Sequence, residues 1–206
     1  IFESWKNKIV PKSPIEQPIT HHMVFFALLF HVCLHIQSNV EVFIIIWYYA
    51  YMIFKQVFDT ITSTYTYLIA SAKGREAIII DPVLENIEDY INILKELDLK
   101  LVKVIDTHIH ADHITGASKL KQVTNCTTIM GEHTPADTVE IKVKDSEIIN
   151  IDNLKIRSMY TPGHTSDSYS FLLDNYLFTG DTLLINGTGR TDFQNGSSKD
   201  AYNSLF

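Results

Sequence analysis

Asp106-Thr107-His108-Ile109-His110-Ala111-Asp112-His113 is the stretch on which the reading of this chain turns. It follows Leu101-Val102-Lys103-Val104-Ile105, a β-branched run that predicts a short buried strand. Three imidazoles and a carboxylate packed between positions 108 and 113 are costly to crowd together without a purpose. Neutral imidazole and carboxylate are the ordinary nitrogen and oxygen ligands of zinc, iron and related metals. If the chain stays extended, His108 and His110 share one face, with Ile109 and Ala111 turned away. Asp112 and His113 then fall on the turn into the next helix, where the chain bends back toward the same point. A solvated polar loop would account for one such histidine, but not for this spacing at the end of a strand.

Two later segments supply what the first cluster lacks. Tyr160-Thr161-Pro162-Gly163-His164-Thr165 reads as a strand followed by a tight turn that presents His164. Leu177-Phe178-Thr179-Gly180-Asp181-Thr182 reads as another strand running into a turn that presents Asp181. Alone, each is an ordinary loop residue. Of the histidines after Met52, however, only His133 lies outside these strand-end turns, which points to convergence on one metal. His133, beside Pro135 in a polar loop, reads as a surface residue.

Working outward, residues 65–71 and 76–80 predict strands around a Lys73-Gly74 turn, the second ending at Asp81-Pro82. Residues 85–99 carry a helical stripe of Ile87, Tyr90, Ile91, Leu94 and Leu97. A helix over 116–123 follows, then strands near 127–130, 148–151, 154–160, 169–173 and 176–178, and the start of a helix at Lys199. Strands outnumber helices and the two are mixed, so the fold class is α/β, built in layers.

The chain has 206 residues, 46% of them apolar and 20% charged, enough for one domain with a real core. The formal net charge of -7 and the absence of a Lys/Arg run argue against a nucleic-acid partner. Cys33 and Cys126 are too few for a disulfide framework and lack metal-binding spacing, so a reducing compartment is expected. Residues 1–51 read differently from residues 52–206. They carry no charge between Glu16 and Glu41 and hold two apolar runs, 23–36 and 42–54, each shorter than a membrane span of ~18 residues. A targeting or anchoring role competes with the reading that this atypical apolar leader is not part of the folded enzyme. A membrane partner is not expected for the folded domain.

His108-x-His110-x-Asp112-His113, Gly163-His164 and Gly180-Asp181, in that order, resemble the metallo-β-lactamase superfamily. The resemblance runs from about Met52 to the end and implies an αββα sandwich with a metal site at one edge between two sheets. Within it, residues 107–116, residues 63–68 and Gly187-Thr188-Gly189-Arg190-Thr191-Asp192-Phe193-Gln194 resemble the persulfide dioxygenases. These oxidise glutathione persulfide with O2 to sulfite and glutathione, on one Fe(II) per chain held by two His and one Asp. That implies His108, His164 and Asp181 as both metal ligands and catalytic centre, with His110, Asp112 and His113 outside the first coordination shell or unused. Arg190 is the natural partner for a glutathione carboxylate, and Asp192 could orient it, although the two could also simply pair with each other. Thr188 stands where these dioxygenases often carry a cysteine.

The same ligands accept zinc, which keeps a hydroxyacylglutathione hydrolase as an alternative. That enzyme would draw Asp112 and His113 to a second metal, bridged by Asp181. A non-catalytic fragment is a third reading, because related enzymes continue well past Phe206. The C-terminal part of the fold is then expected to be missing, leaving one sheet incomplete with its edge and inner face exposed. Related enzymes place the protein in mitochondria or the cytoplasm, and a homodimer is compatible with everything above.

Overall fold

The computed structural model describes residues 52–206; the leader and Cys33 lie outside the described residues. β1 (Ile53–Asp59) and β2 (Thr64–Ala70) form an antiparallel hairpin, and β3 (Glu76–Ile80) pairs antiparallel with β2. A 3-10 turn, Leu84–Asn86, leads into α1 (Ile87–Glu96), after which β4 (Lys100–Ile105) runs parallel to β3. α2 (Ala117–Thr124) then connects β4 to β5 (Thr127–Gly131), and β6 (Ile141–Val143) closes a six-stranded sheet in the order β1-β2-β3-β4-β5-β6. β7 (Ile148–Ile151), β8 (Leu154–Tyr160), β9 (Tyr169–Leu173) and β10 (Tyr176–Phe178) form an antiparallel sheet in the order β10-β9-β8-β7. α3 (Ser198–Leu205) begins at Ser197, whose hydroxyl accepts from the Asp200 amide at 3.2 Å.

The two-residue period of the strands sorts side chains into two cores. Ile69, Ile78, Ile80, Ile105 and Ile129 point at the smaller sheet, where they meet Ile156, Tyr169, Phe171 and Phe178. Their neighbours Leu68, Ala70, Ala77, Ile79 and Val104 point the other way, against Tyr90 and Leu94 of α1 and Leu120 of α2. The larger sheet is therefore apolar on both faces, as a sheet covered by helices on one side and by a second sheet on the other must be. Those layers are the expected α/β sandwich.

Several boundaries differ from the sequence reading. The predicted helix over 85–99 begins as a 3-10 turn and ends at Glu96, because Asp98 adopts a left-handed φ of 54° and turns the chain into β4. β1 escapes the sequence reading because its first residues, Ile53 and Phe54, are continuous with the apolar run ascribed to the leader. β6 escapes it because three residues in a charged stretch give no period. The expected exposed inner face is also corrected. β10 is an edge strand, yet its inward side chains are covered by β1: Phe54 stacks on Tyr176 at 4.9 Å and on Phe178 at 6.1 Å between ring centroids.

Candidate metal centre

Three strands release a polar side chain at their C-terminal ends. His108 follows β4, His164 follows β8, and Asp181 follows β10 within a 3-10 turn, Gly180–Thr182. One ligand atom from each of the three lies within 4.8 Å of the other two, although they are separated in sequence by 56 and 17 residues. His164 Nε2 stands 3.4 Å from Asp181 Oδ2. The loop carrying His108 is strapped to the second half of the chain: Thr107 O accepts from Tyr169 N at 2.9 Å, Ile109 N donates to Asp167 Oδ2 at 3.1 Å, and Gln194 Nε2 donates to Ile109 O at 3.0 Å.

Hydrogen bonds orient the two imidazoles. Arg190 O accepts from His164 Nδ1 at 2.8 Å, so that nitrogen carries a proton and Nε2 is the atom turned toward Asp181. The Thr107 hydroxyl donates to Asp81 Oδ2 at 3.0 Å, leaving its oxygen to accept from His108 Nδ1, also at 3.0 Å. The lone pair of His108 therefore falls on Nε2. Burial, helped by the His110 charge, pushes the His108 pKa down to about 3, so this imidazole stays neutral at physiological pH. Burial holds Asp181 above the usual carboxylate range against the pull of His164.

His110 sits beside His108, with ring centroids 4.2 Å apart, but it serves a different carboxylate. Its Nε2 lies 3.1 Å from Asp81 Oδ1. Burial opposes its charge, yet the Asp81 hydrogen bond and the charges of Asp81, Asp106 and Asp112 outweigh that and hold its pKa up at about 9. Asp81 resists burial in the same way and stays below the usual carboxylate range. Burial pushes Asp106 up to about 7, while Thr115 Oγ1 donates to its carboxylate at 2.8 Å. His110, Asp112 and His113 form a second group whose ligand atoms lie within 4.8 Å of one another. In that group His113 Nδ1 is 3.2 Å from Asp112 Oδ1, while His113 Nε2 is buried with no hydrogen-bond partner.

Two glycines make room for this arrangement. At Gly180, φ is 47° and a Cβ would lie 2.4 Å from Thr107 Oγ1. At Gly189, a Cβ would lie 2.4 Å from Asp181 O and 2.6 Å from His164 Nδ1. Gly189→Ala is therefore expected to displace His164 and to lower metal retention after dialysis, whereas Gly187→Ala, with nothing within 4 Å of its added carbon, leaves retention unchanged. Equal retention in the two variants would contradict the role given to Gly189.

A model of the metallo-β-lactamase superfamily matches residues 59–136 and 131–206. The chain belongs to that superfamily. Among similar proteins, the mitochondrial persulfide dioxygenase ETHE1 of Homo sapiens is 37% identical over 157 residues, covering 75% of this chain and 61% of the relative. The chain thus spans about three fifths of the length of that curated relative. A hydroxyacylglutathione hydrolase of Dictyostelium discoideum is 33% identical over 152 residues, covering 69% of this chain and 55% of the relative. The crystal structure of ETHE1 from Myxococcus xanthus superposes with a TM-score of 0.73 at 45% identity, covering 75% of this chain and 68% of that one.

The fold is a metal-binding one, and the loops bearing His108, His164 and Asp181 bring together a group that could hold an ion. The sequence reading missed the side chains that aim those ligands. Asp81 was read only as a strand terminator, yet the parallel pairing of Ile80 with Ile105 sets it beside Asp106 and Thr107. A carboxylate leaving the strand next to the one that bears the histidines is the signal that could have found it. Arg190 enters the centre through its backbone carbonyl, while its guanidinium pairs with exposed Asp192 at 2.8 and 3.0 Å. Thr107→Val removes the hydroxyl that joins Asp81 to His108 while keeping the shape. It is expected to weaken metal binding about 10–100-fold, as outer-sphere changes commonly do. Competition titration with a chromophoric chelator checks this, and an unchanged affinity would refute it.

Proposed function

We propose that this chain carries the centre of an iron-dependent persulfide dioxygenase, in which His108, His164 and Asp181 hold one Fe(II). The observation carrying this reading is that two imidazoles and one carboxylate offer ligand atoms within 4.8 Å of one another, while the Nδ1 atoms of both imidazoles are held by Arg190 O and Thr107 Oγ1. Two His and one carboxylate on one face fit a non-haem iron that keeps open positions. Iron held there supplies the redox chemistry for oxidising a sulfur atom with O2. The chain's own residues hold the reactants in place. Thr107 and the Arg190 carbonyl fix the two imidazole planes, and His108 is itself almost wholly buried.

The proposed substrate is glutathione persulfide, with sulfite and glutathione as products. The guanidinium of Arg190, 5.6 Å above the Phe193 ring and oriented by Asp192, is the proposed contact for a glutathione carboxylate. Similarity to a mitochondrial persulfide dioxygenase supports this choice and a mitochondrial setting. Among the described residues no helix is long and apolar enough to cross a membrane.

One observation favours a second reading. The buried Nε2 of His113 has no hydrogen-bond partner and belongs to the His110–Asp112–His113 group, whose donors suit a second cation. Two bound zinc ions would make the centre a thioester hydrolase, with the metal pair activating water. The proposal is tested by loading the chain with Fe(II) anaerobically and following oxygen uptake with glutathione persulfide, beside a hydroxyacylglutathione hydrolysis assay. One iron per chain, oxygen consumption and sulfite are expected. Two metals with hydrolysis and a flat oxygen trace would transfer the assignment to the hydrolase.

A further inference from the structure

Ile109, the residue between the first two histidines of the motif, is held at both of its backbone polar groups. Its N donates to Asp167 Oδ2 at 3.1 Å, and its O accepts from Gln194 Nε2 at 3.0 Å. The two side chains come from different loops. Asp167 lies between β8 and β9, in the turn that also carries His164, and Gln194 lies in the segment after Asp181 that carries Arg190. His108 and Ile109 follow a strand of the six-stranded sheet, whereas His164 and Asp181 follow strands of the four-stranded one. Together with the bond from Tyr169 N to Thr107 O, these contacts join the two sides of the three-ligand group.

Both contacts are unfavourable to build. Asp167 is a carboxylate only 4% exposed, and burying such a group costs stability unless hydrogen bonds compensate it. Gln194 has a φ of 46° and Asn195 a φ of 57°, a left-handed pair that residues with side chains rarely adopt. Backbone of that kind persists where surrounding contacts hold it, and it gathers at functional sites. The consequence here is local. The rings of His108 and His110 are 4.2 Å apart, and the residue that joins them sets how both are turned. His108 meets the ring of His164 edge-on at 5.0 Å, while His110 Nε2 lies 3.1 Å from Asp81 Oδ1.

We propose that Asp167 and Gln194 are positioning residues of the metal centre, holding Ile109 so that His108, and not His110, meets His164 and Asp181. The role rests on the three-ligand centre proposed above, but not on which metal or substrate that centre takes. Asp167 acts through its acceptor oxygen rather than its charge, because its partner is a neutral amide. Gln194 adds a link of its own. The segment that bears it also supplies Arg190 O to His164 Nδ1, so residues 190–194 set the orientation of one ligand ring directly and of the other through Ile109.

Co(II) is the probe, because imidazole and carboxylate donors accept it and its visible absorption reports the arrangement of its ligands. Asp167→Val removes the acceptor at similar volume, and Gln194→Met keeps the length of the side chain while removing the donor. Each is expected to weaken Co(II) binding about 10–100-fold and to shift the absorption of the bound ion. Asp167→Asn keeps an oxygen that accepts from Ile109 N and is expected to restore affinity and absorption to near the native level. Since both side chains hold one residue, the double variant should lose less than the product of the two single losses. Gln194 is half-buried on a loop, so Gln194→Met carries the test if Asp167→Val does not fold. A role in stability alone would lower the thermal midpoint of the metal-free chains and leave the cobalt absorption in place. That result, or native affinity in Gln194→Met, would overturn the positioning role while the centre stood. A native chain that binds no cobalt would overturn the centre itself.

Discussion

His164→Ala is expected to reduce retained iron to background and to lower oxygen uptake by more than ~100-fold, beyond the usual cost of losing an outer-sphere partner. The prediction is large because in the proposed centre His164 would supply one of three ligand atoms, and because Arg190 O already orients its ring. Removing a pre-oriented ligand loses both the bond and the geometry that served it. His164 lies on a loop and outside both hydrophobic clusters, so truncating it spares the core and the folded chain survives to be measured. His108→Ala should be equally severe for metal but harder to interpret, since His108 is only 2% exposed. Metal content after desalting and oxygen electrode traces are the readouts. Retention of one iron with near-normal turnover in His164→Ala would remove the basis of the proposed centre.

Phe171→Ala is expected to destabilise the domain by about 3–5 kcal/mol, a large share of the ~5–15 kcal/mol typical of a folded domain. Phe171 is wholly buried at the centre of β9, paired with Ser158 of β8 on one side and Phe178 of β10 on the other. Its ring belongs to the core shared by the two sheets, so a cavity left there cannot close without moving a sheet. Phe171→Leu keeps most of the volume and should cost much less, which gives a measurable variant if the alanine form does not fold. Urea midpoints of the three proteins provide the test. A loss under about 1 kcal/mol for the alanine variant would mean that the intersheet core is not packed as described.

Much of the architecture could be read directly from the chain. β3, β7, β8, β9 and β10 coincide with the predicted strands because their β-branched and aromatic residues are bounded by Gly, Asp, Asn or Pro turns. β1 and β6 could not be read, and for opposite reasons. The apolar start of β1 merges with a longer apolar run, whereas β6 is too short to reveal a period. One sheet was expected to have its edge and inner face exposed; at its edge strand β10, Phe54 of the strand that escaped notice packs on Tyr176 and Phe178.

The sequence by itself determined the donor types and their places: imidazoles and carboxylates at the ends of strands, in an order shared with the metallo-β-lactamase superfamily. It could do so because ligand chemistry and strand-end turns are local properties, written within a few residues. Only the tertiary structure decided which nitrogen of each ring is free. Those choices depend on Asp81, Thr107 and the Arg190 carbonyl, two of them brought from strands or loops remote in the chain. His108 and His110 look equivalent in the motif, yet one ends as a neutral lone-pair donor and the other as the cationic partner of a buried carboxylate. Sheet pairing sets that difference, since it brings Asp81 to His110 and to the Thr107 hydroxyl that in turn orients His108.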